Sequence, residues 1–334
     1  MIDYKQILRE FSALDGAHNE EKTYNVISIS SMSHKLGVSK EHFPIFFVAT
    51  ANTVDNAPNM IRELLSVEYD VECTIKEIDG KTQLNNFAII TLRTNDENLQ
   101  SYFIEIFLMM LSKMSTQPSK QELSIEVERL ITIFSALSQT PRKRIQGLWA
   151  ELLVIERSKN PNLLVNAWHS SASSKYDFTL GRDKIEVKST SSEERIHRFS
   201  LDQLNPSPNS RLLIASMTVR ESGRCSNGLS VKDLYDKICN HLSDIETKIR
   251  LYTVIAQTLG KDIEKIGTIY FDYITASDSL AYYDYQIIPR ILKSDVPENI
   301  TEVKFACNIT KLEDITHPNS SFDIIDSELF NSIF

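Results

Sequence analysis

Four side chains in this 334-residue chain could do chemistry together: Asp177, Glu186 and Lys188 in one short stretch, and Glu151 upstream. Residues 176–188 read as two short strands joined by a tight turn at Gly181, Arg182 and Asp183. Alternation places Tyr176, Phe178 and Leu180 on one face and Asp177 and Thr179 on the other. Ile185 and Val187 then point to the core, leaving Glu186 and Lys188 on the polar face. Two carboxylates and an amine thereby meet on a rigid hairpin. Hard oxygen ligands of this kind suit Mg²⁺ or Mn²⁺, and a neighbouring ammonium suits phosphate. The chemistry to expect is metal-assisted hydrolysis of a phosphodiester.

Glu151 must be delivered by a different element. Residues 144–159 read as a helix that is apolar almost all round, with Ile145, Leu148, Trp149, Leu152, Leu153, Val154 and Ile155, so it should be buried on most sides. Glu151 falls between Leu148 and Ile155, where a lone charge would be expensive. A metal ion or a lysine would satisfy it, and so would an ion pair with Arg144 or Arg157. Gly147, one turn earlier, would leave room for a close approach. A short basic join, residues 141–144, leads into this helix. After it come an apolar strand at 163–168, a polar loop at 169–175, the hairpin, a hydroxyl run at 189–192 and a charged loop to Arg198. A short helix at 201–204, a buried strand at 211–220 and an amphipathic helix at 230–242 complete the region.

The bare pattern acid-x-Lys carries little weight, since it occurs six times in the chain. Most copies fall in helices or turns, where the two side chains would not share a face. Glu302 and Lys304 lie in a credible strand but lack an upstream strand bearing an aspartate, and read as a solvated face. Glu186 and Lys188 stand apart because Asp177 and Glu151 accompany them.

With those residues in place, the chain resembles the PD-(D/E)XK nuclease superfamily, the restriction-endonuclease-like fold. Asp177 looks like its central aspartate, here after Tyr176 and not proline. Glu186, Val187 and Lys188 look like its (D/E)-x-K element, and Glu151 matches the helical glutamate of many members. The wording around Gly147–Glu151, Tyr176–Phe178, Ile185–Thr190 and Phe199–Leu204 is similar to a bacterial family of PD-(D/E)XK motif proteins, whose genes tend to lie beside restriction-modification and other phage-defence genes. The resemblance implies that Asp177, Glu186, Glu151 and the Val187 carbonyl hold Mg²⁺, with Mn²⁺ a possible substitute. Lys188 would orient or help deprotonate the attacking water; the alternative is an ion pair with Asp177 that closes the hairpin. Gln203 matches a glutamine common after the lysine, yet Ser200 and Gln203 also form a regular capping box. Ser189 and Thr190 could bond to phosphate or simply finish their strand. Arg182, Lys184, Arg195 and Arg198 make the surroundings basic, as a phosphate-binding cleft requires. His169 and His197 flank the site in loops and read as exposed or DNA-contacting side chains, not as metal ligands.

Composition bounds the rest. A formal net charge of -9 argues against non-specific coating of nucleic acid, which rests on phosphate neutralisation. The four cysteines, Cys73, Cys225, Cys239 and Cys307, are scattered singly, so neither a zinc site nor a disulfide framework is expected, and a reducing cytoplasm is the expected home. The amino terminus shows no signal-peptide pattern and no apolar run reaches membrane-spanning length. None of the nine glycines forms a nucleotide-binding loop, so any motor would be a partner polypeptide; the resemblance implies a partner ATPase or methyltransferase of a defence system. Residues 1–140 read as an α/β recognition or assembly domain, with a helix at 4–14, strands at 24–29, 44–50, 67–78 and 86–94, and helices at 97–114 and 120–137. Residues 141–243 read as the nuclease core, a mixed central sheet flanked by helices. Residues 244–334 read as an α+β extension with a helix at 248–259 and strands at 268–275, 283–291 and 301–309. The fold class expected is therefore α/β. The activity expected is a Mg²⁺-dependent DNA endonuclease acting as a homodimer, since cutting both strands usually takes two sites. A non-catalytic DNA-binding or assembly subunit and an RNA nuclease are the alternatives.

Overall fold

The computed structural model describes residues 4–16, 22–29, 33–51, 57–137, 139, 144–169, 174–224, 227–315 and 326–334. Residues 141–143 of the basic join, residues 170–173 of the polar loop and Cys225 lie outside the described residues. The chain divides into two compact units, Met1–Gln139 and Thr140–Phe334. Among the described residues no helix is long and apolar enough to cross a membrane.

The first unit begins with α1 (Tyr4–Ser12), followed by β1 (Thr23–Ser28), β2 (Lys35–Val38), β3 (Pro44–Val48), β4 (Met60–Ile61), β5 (Leu65–Glu77) and β6 (Thr82–Leu92). The strands run in the order β1-β2-β3-β6-β5-β4, and β1 also pairs in parallel with β5. Five strands therefore close on themselves as a small barrel. Closure needs a bend in the longest strand. The register of β5 against β6 slips between Glu68 and Val71, where Asp70 adopts φ +56° and takes an ion pair from Lys120 at 2.7 Å. Val26, Ile45, Phe47, Cys73, Ile75, Phe87 and Ile89 fill the interior. On the outside, Phe46 packs edge-on against Phe103 and Phe107 of α2 (Glu97–Leu111). Helix α3 (Lys120–Ala136) starts at Ser119, whose hydroxyl accepts the Glu122 amide as its sequence signature predicts.

The second unit is a mixed α/β arrangement. Its first elements are α4 (Ile145–Glu156), α5 (Pro161–Ala167), β7 (Phe178–Leu180), β8 (Asp183–Thr190), β9 (Ile196–Ser200), β10 (Arg211–Thr218), β11 (Glu221–Ser222) and β12 (Gly228–Ser230). There follow α6 (Val231–His241), α7 (Ile245–Leu259), β13 (Tyr270–Asp272), α8 (Tyr273–Asp278), β14 (Ala281–Asp284), β15 (Lys304–Asn308) and α9 (Glu328–Asn331). The main sheet runs β14-β10-β8-β7. Strand β8 pairs antiparallel with β7 across the Gly181 turn (φ +56°) and parallel with β10. The outer strand β14 comes from residues 244–334, so the region read as an extension supplies a strand to the main sheet. Helix α4 packs against β8 and α6, with all seven of its apolar residues named above buried.

Four expectations change. The stretch 163–168 is mostly helix α5, because Asn160 caps it by accepting the Leu163 amide and Pro161 presets its first turn. Residues 201–204 form a turn, and the loop before them contains β9, which pairs with β15. The strand expected at 268–275 stops at Asp272, whose carboxylate accepts the Thr275 amide and starts α8. The strand expected at 283–291 gives way after Asp284 to a 3₁₀ turn capped by that residue.

Two histidines are sealed in neutral form. His34 in the barrel unit is fully buried and its Nδ1 accepts the Ala49 amide at 3.2 Å; burial pushes it down to about 4. His197 on β9, expected in an exposed loop, is also buried, with Nε2 2.7 Å from the Ser216 hydroxyl. Burial, then the charges of Lys188 and Arg195, push it down to about 4. The unfolded chain binds these protons near pH 6.5 and the fold only near 4, so between those values the unfolded state holds more protons and stability rises with pH. The contribution is complete above pH 6.5 and is lost on going down towards 4. Each histidine should remove roughly 1.4 kcal/mol at one pH unit below 6.5. Urea unfolding at pH 7.5 and 5.5 should show lower midpoints at the acid value, and equal midpoints would contradict the assignment.

Candidate metal centre and active site

The hairpin geometry follows from ladder register. Phe178 pairs with Ile185 and Leu180 with Asp183, which sets Asp177 beside Glu186 and Val187 at the end of the ladder. The Val187 N–H donates to Asp177 Oδ2 at 2.7 Å. One carboxylate oxygen is thus fixed by backbone, and the side chain is only 3% exposed. The segment after α5 is laid alongside. Trp168 forms a single bridge with Phe178, and the His169 N–H donates to the Asp177 carbonyl at 2.8 Å. His169 takes φ +40° to do so, a left-handed conformation uncommon for a side chain other than glycine. Arg250 on α7 holds this corner, donating to the Val165 carbonyl at 3.0 Å and the Trp168 carbonyl at 2.8 Å.

Glu151 enters from α4 and is 2% exposed. Its Oε2 accepts the Trp168 indole N–H at 2.7 Å and lies 2.9 Å from His169 Nε2. His169 Nε2 is also 4.0 Å from Asp177 Oδ1. Ligand atoms of Glu151, His169 and Asp177 all lie within 4.8 Å of one another, and this is the one such grouping of His, Cys, Asp and Glu among the described residues. Two buried carboxylates and an imidazole nitrogen meeting at that spacing fit a divalent cation. The imidazole shifts the donor set from purely hard oxygen towards one that also suits Mn²⁺.

Glu186 and Lys188 form the adjoining half of the site. Glu186 is 4% exposed, and its Oε1 accepts from Lys188 Nζ at 2.7 Å and from Gln203 Nε2 at 2.5 Å. Lys188 also contacts Gln203 Oε1 at 3.3 Å and sits 5.2 Å above the centre of the Phe199 ring. Gln203 serves both roles that its sequence allows. Its Oε1 accepts the Ser200 amide at 3.1 Å and its own amide donates to the Ser200 hydroxyl at 3.2 Å, while its NH₂ reaches Glu186.

Several expected roles change with this geometry. Glu186, expected to share an ion with Asp177, is not in the three-ligand grouping and pairs with Lys188. Lys188 pairs with Glu186, not with Asp177 as the alternative reading had it. Val187 meets Asp177 through its amide. His169 stands at the centre of the cluster. Glu151 is met by Trp168 and His169. A Cβ built on Gly147 meets nothing within 4 Å, so no close packing requires that glycine.

The basic surroundings divide. Arg182 and Arg198 are exposed. Arg195 is spent internally, donating to the Ser216 carbonyl at 2.7 Å, the Ser216 hydroxyl at 2.9 Å and the Ser279 carbonyl at 2.5 Å. Lys184 donates to the Gly181 carbonyl at 2.7 Å and closes the turn. Ser189 accepts from Gln146 at 3.2 Å, and Thr190 accepts the Ser192 amide at 3.1 Å, so the latter finishes its strand. Asp183, absent from the expected site, is a structural acid. Burial raises its pKa, but bonds from Arg211 (2.6 and 2.9 Å) and Ser327 (2.6 Å) outweigh this and leave it below the usual carboxylate range.

A family model described as "Putative PD-(D/E)XK family member, (DUF4420)" matches residues 7–310. The chain belongs to that family. Its membership points to a nuclease, and PD-(D/E)XK nucleases generally use divalent metals. No curated protein and no solved structure matches the chain.

Sequence reading set His169 aside as an exposed or DNA-contacting loop residue, whereas it groups with Glu151 and Asp177, and it overlooked the parts played by Trp168 and Arg250, because nothing in their spacing marks them. The available signal was the Asn160–Pro161 helix start, which marks α5 as a helix; the chain leaves it at Trp168, which bridges to Phe178 beside Asp177.

Two outcomes test this geometry. Mn²⁺ added to the protein should quench fluorescence, because the Trp168 indole bonds to Glu151 directly. The response should survive Trp149→Phe and vanish in Trp168→Phe, Asp177→Asn and His169→Ala; a saturating response unchanged in His169→Ala would remove that side chain from the ligand set. Gly147→Ala should raise stability by about 0.5–1 kcal/mol through helix propensity alone, measured by urea unfolding.

Proposed function

We propose that this DUF4420 member is a metal-dependent endonuclease that hydrolyses phosphodiester bonds of DNA. The observation that carries the reading is the meeting of Glu151, His169 and Asp177 within 4.8 Å, next to the Glu186–Lys188–Gln203 network on the same hairpin. Glu151, His169 and Asp177 would hold Mg²⁺ or Mn²⁺. A divalent cation there would make water more acidic and offset the charge that builds on the scissile phosphate.

The chain's own groups prepare that chemistry. The Trp168 indole and the Val187 amide each occupy one carboxylate oxygen, which orients Glu151 and Asp177 before any substrate arrives. Lys188, held by Glu186 and Gln203, presents N–H donors beside the ligand cluster, where they can orient a water or contact a phosphate oxygen. Glu186 balances the lysine's charge in a setting where a lone ammonium would be costly. Restriction or anti-phage defence, a cytoplasmic setting, a homodimer and a partner ATPase or methyltransferase belong to the same proposal.

The test incubates purified protein with plasmid, linear duplex, single-stranded DNA and RNA, in Mg²⁺, Mn²⁺ or EDTA. Cutting of DNA that EDTA abolishes is expected, with Lys188→Ala and Asp177→Asn at least about 10²-fold slower, as for loss of one transition-state donor. Cutting that persists in EDTA, or at full rate in Lys188→Ala, would reject the mechanism; RNA cut in preference to DNA would reject the substrate.

A further inference from the structure

The barrel unit carries an open cleft of about 540 Å³. Its walls come from the start of β1, the turn between β2 and β3 and the end of β6. Ile45 lines it and belongs to the interior cluster, and Tyr24 packs against that cluster, so the cleft is the mouth of the barrel. Barrel mouths are common places for ligands, and this volume lies in the range of small-molecule sites.

The lining has a specific chemical character. Lys22, Lys40 and Arg93 are exposed around it, and their side chains have no acceptor among the described residues. Glu41, the single acid of the lining, accepts from the Ser39 hydroxyl at 2.9 Å. Three cations and one acid line the cleft in a chain of net charge -9. Cations around the rim of a cavity favour an anion within it. Tyr24 and Phe43, both half-buried, add aromatic surface to the same cleft. Cations that hold a phosphate next to rings that can stack on a base are the two requirements for a nucleotide.

We propose that this cleft binds one nucleotide unit, with its phosphate among Lys22, Lys40 and Arg93 and its base against the aromatic lining. The chemistry is the same for a free nucleotide and for one residue of a single strand. The proposal does not rest on the nuclease reading, because it is measured as binding with all divalent metal removed.

The experiment uses the full chain in EDTA and follows the fluorescence anisotropy of a labelled 12-nucleotide single strand, with dTMP and inorganic phosphate as competitors. The Lys40→Ala/Arg93→Ala variant should bind at least tenfold more weakly, with a salt slope reduced by up to about 0.7, the value for one phosphate contact on a single strand. Phe43→Leu should weaken binding about fivefold or more through lost stacking, with circular dichroism unchanged in both variants. Lys22→Ala is an independent variant with the same expected direction. Displacement by dTMP at concentrations comparable to the strand assigns a free nucleotide, and binding of the strand alone assigns nucleic acid; either supports the site. No saturable binding by the unaltered chain, wild-type affinity in the double variant, phosphate competing as well as dTMP, or binding lost only in Lys188→Ala would each overturn it.

Discussion

Three carboxylates in one unit, Glu151, Asp177 and Glu186, are each less than 5% exposed, and this burial governs how the second unit is built. An ionised carboxylate leaves water only where donors replace the lost hydration. Each acid here is met by a different kind of donor. The Trp168 indole serves Glu151, the Val187 amide serves Asp177, and Lys188 with Gln203 serves Glu186. Each of these donors is placed by an element whose position serves the site. Strand β8 fixes the Val187 amide between β7 and β10. Helix α5 ends where Trp168 must turn inward. The turn after β9 brings Gln203 back over the sheet. Taking a donor away from a buried acid costs more than the modest net gain of the bond itself.

The same constraint explains what the sequence could reveal. Period-two alternation in residues 176–188 reports directly on side-chain faces, so the hairpin, its Gly181 turn and the partnership of Glu186 with Lys188 on one face were legible. Helix α4 was legible because a run of apolar residues admits little else, and the need of Glu151 for a partner followed from burial alone. The identity of that partner was not legible. It depends on a single bridge between Trp168 and Phe178 and on the left-handed backbone of His169, both products of tertiary geometry. Likewise, apolar residues at 163–168 suit strand and helix equally, and the decision lay in the capping pair Asn160 and Pro161. In the barrel unit the strands were largely visible, but closure through β1 and β5 joins residues about fifty apart and leaves no local trace.

Charge reading shows the limit most clearly. Arginine in sequence is a cation; in the fold it can be a fastener. Arg195 and Arg211 make their bonds to carbonyls, a hydroxyl and a buried acid, and Arg250 ties α7 to the corner at Trp168. Guanidinium suits this work because its fork satisfies several acceptors at once. The basic character counted along residues 182–198 is therefore larger than the field offered to a phosphate, of which Arg182 and Arg198 are the exposed part.

On the proposed reading, this redistribution bears on how an acidic chain could act on a polyanion. Affinity for nucleic acid comes mainly from phosphate neutralisation, and catalysis at a metal adds little affinity away from the scissile bond. Two exposed arginines and a lysine already paired to Glu186 would give weak holding power by themselves. If both proposals hold, Lys22, Lys40 and Arg93 at the barrel mouth would add the positive charge that Arg182 and Arg198 do not supply. Separation of the two tasks has a physical advantage. The buried acids can be tuned for a cation and for phosphate chemistry, with the field that attracts the strand set independently. A site that had to do both would need dense uncompensated positive charge beside its metal ligands, where it would compete with the cation for the same carboxylates.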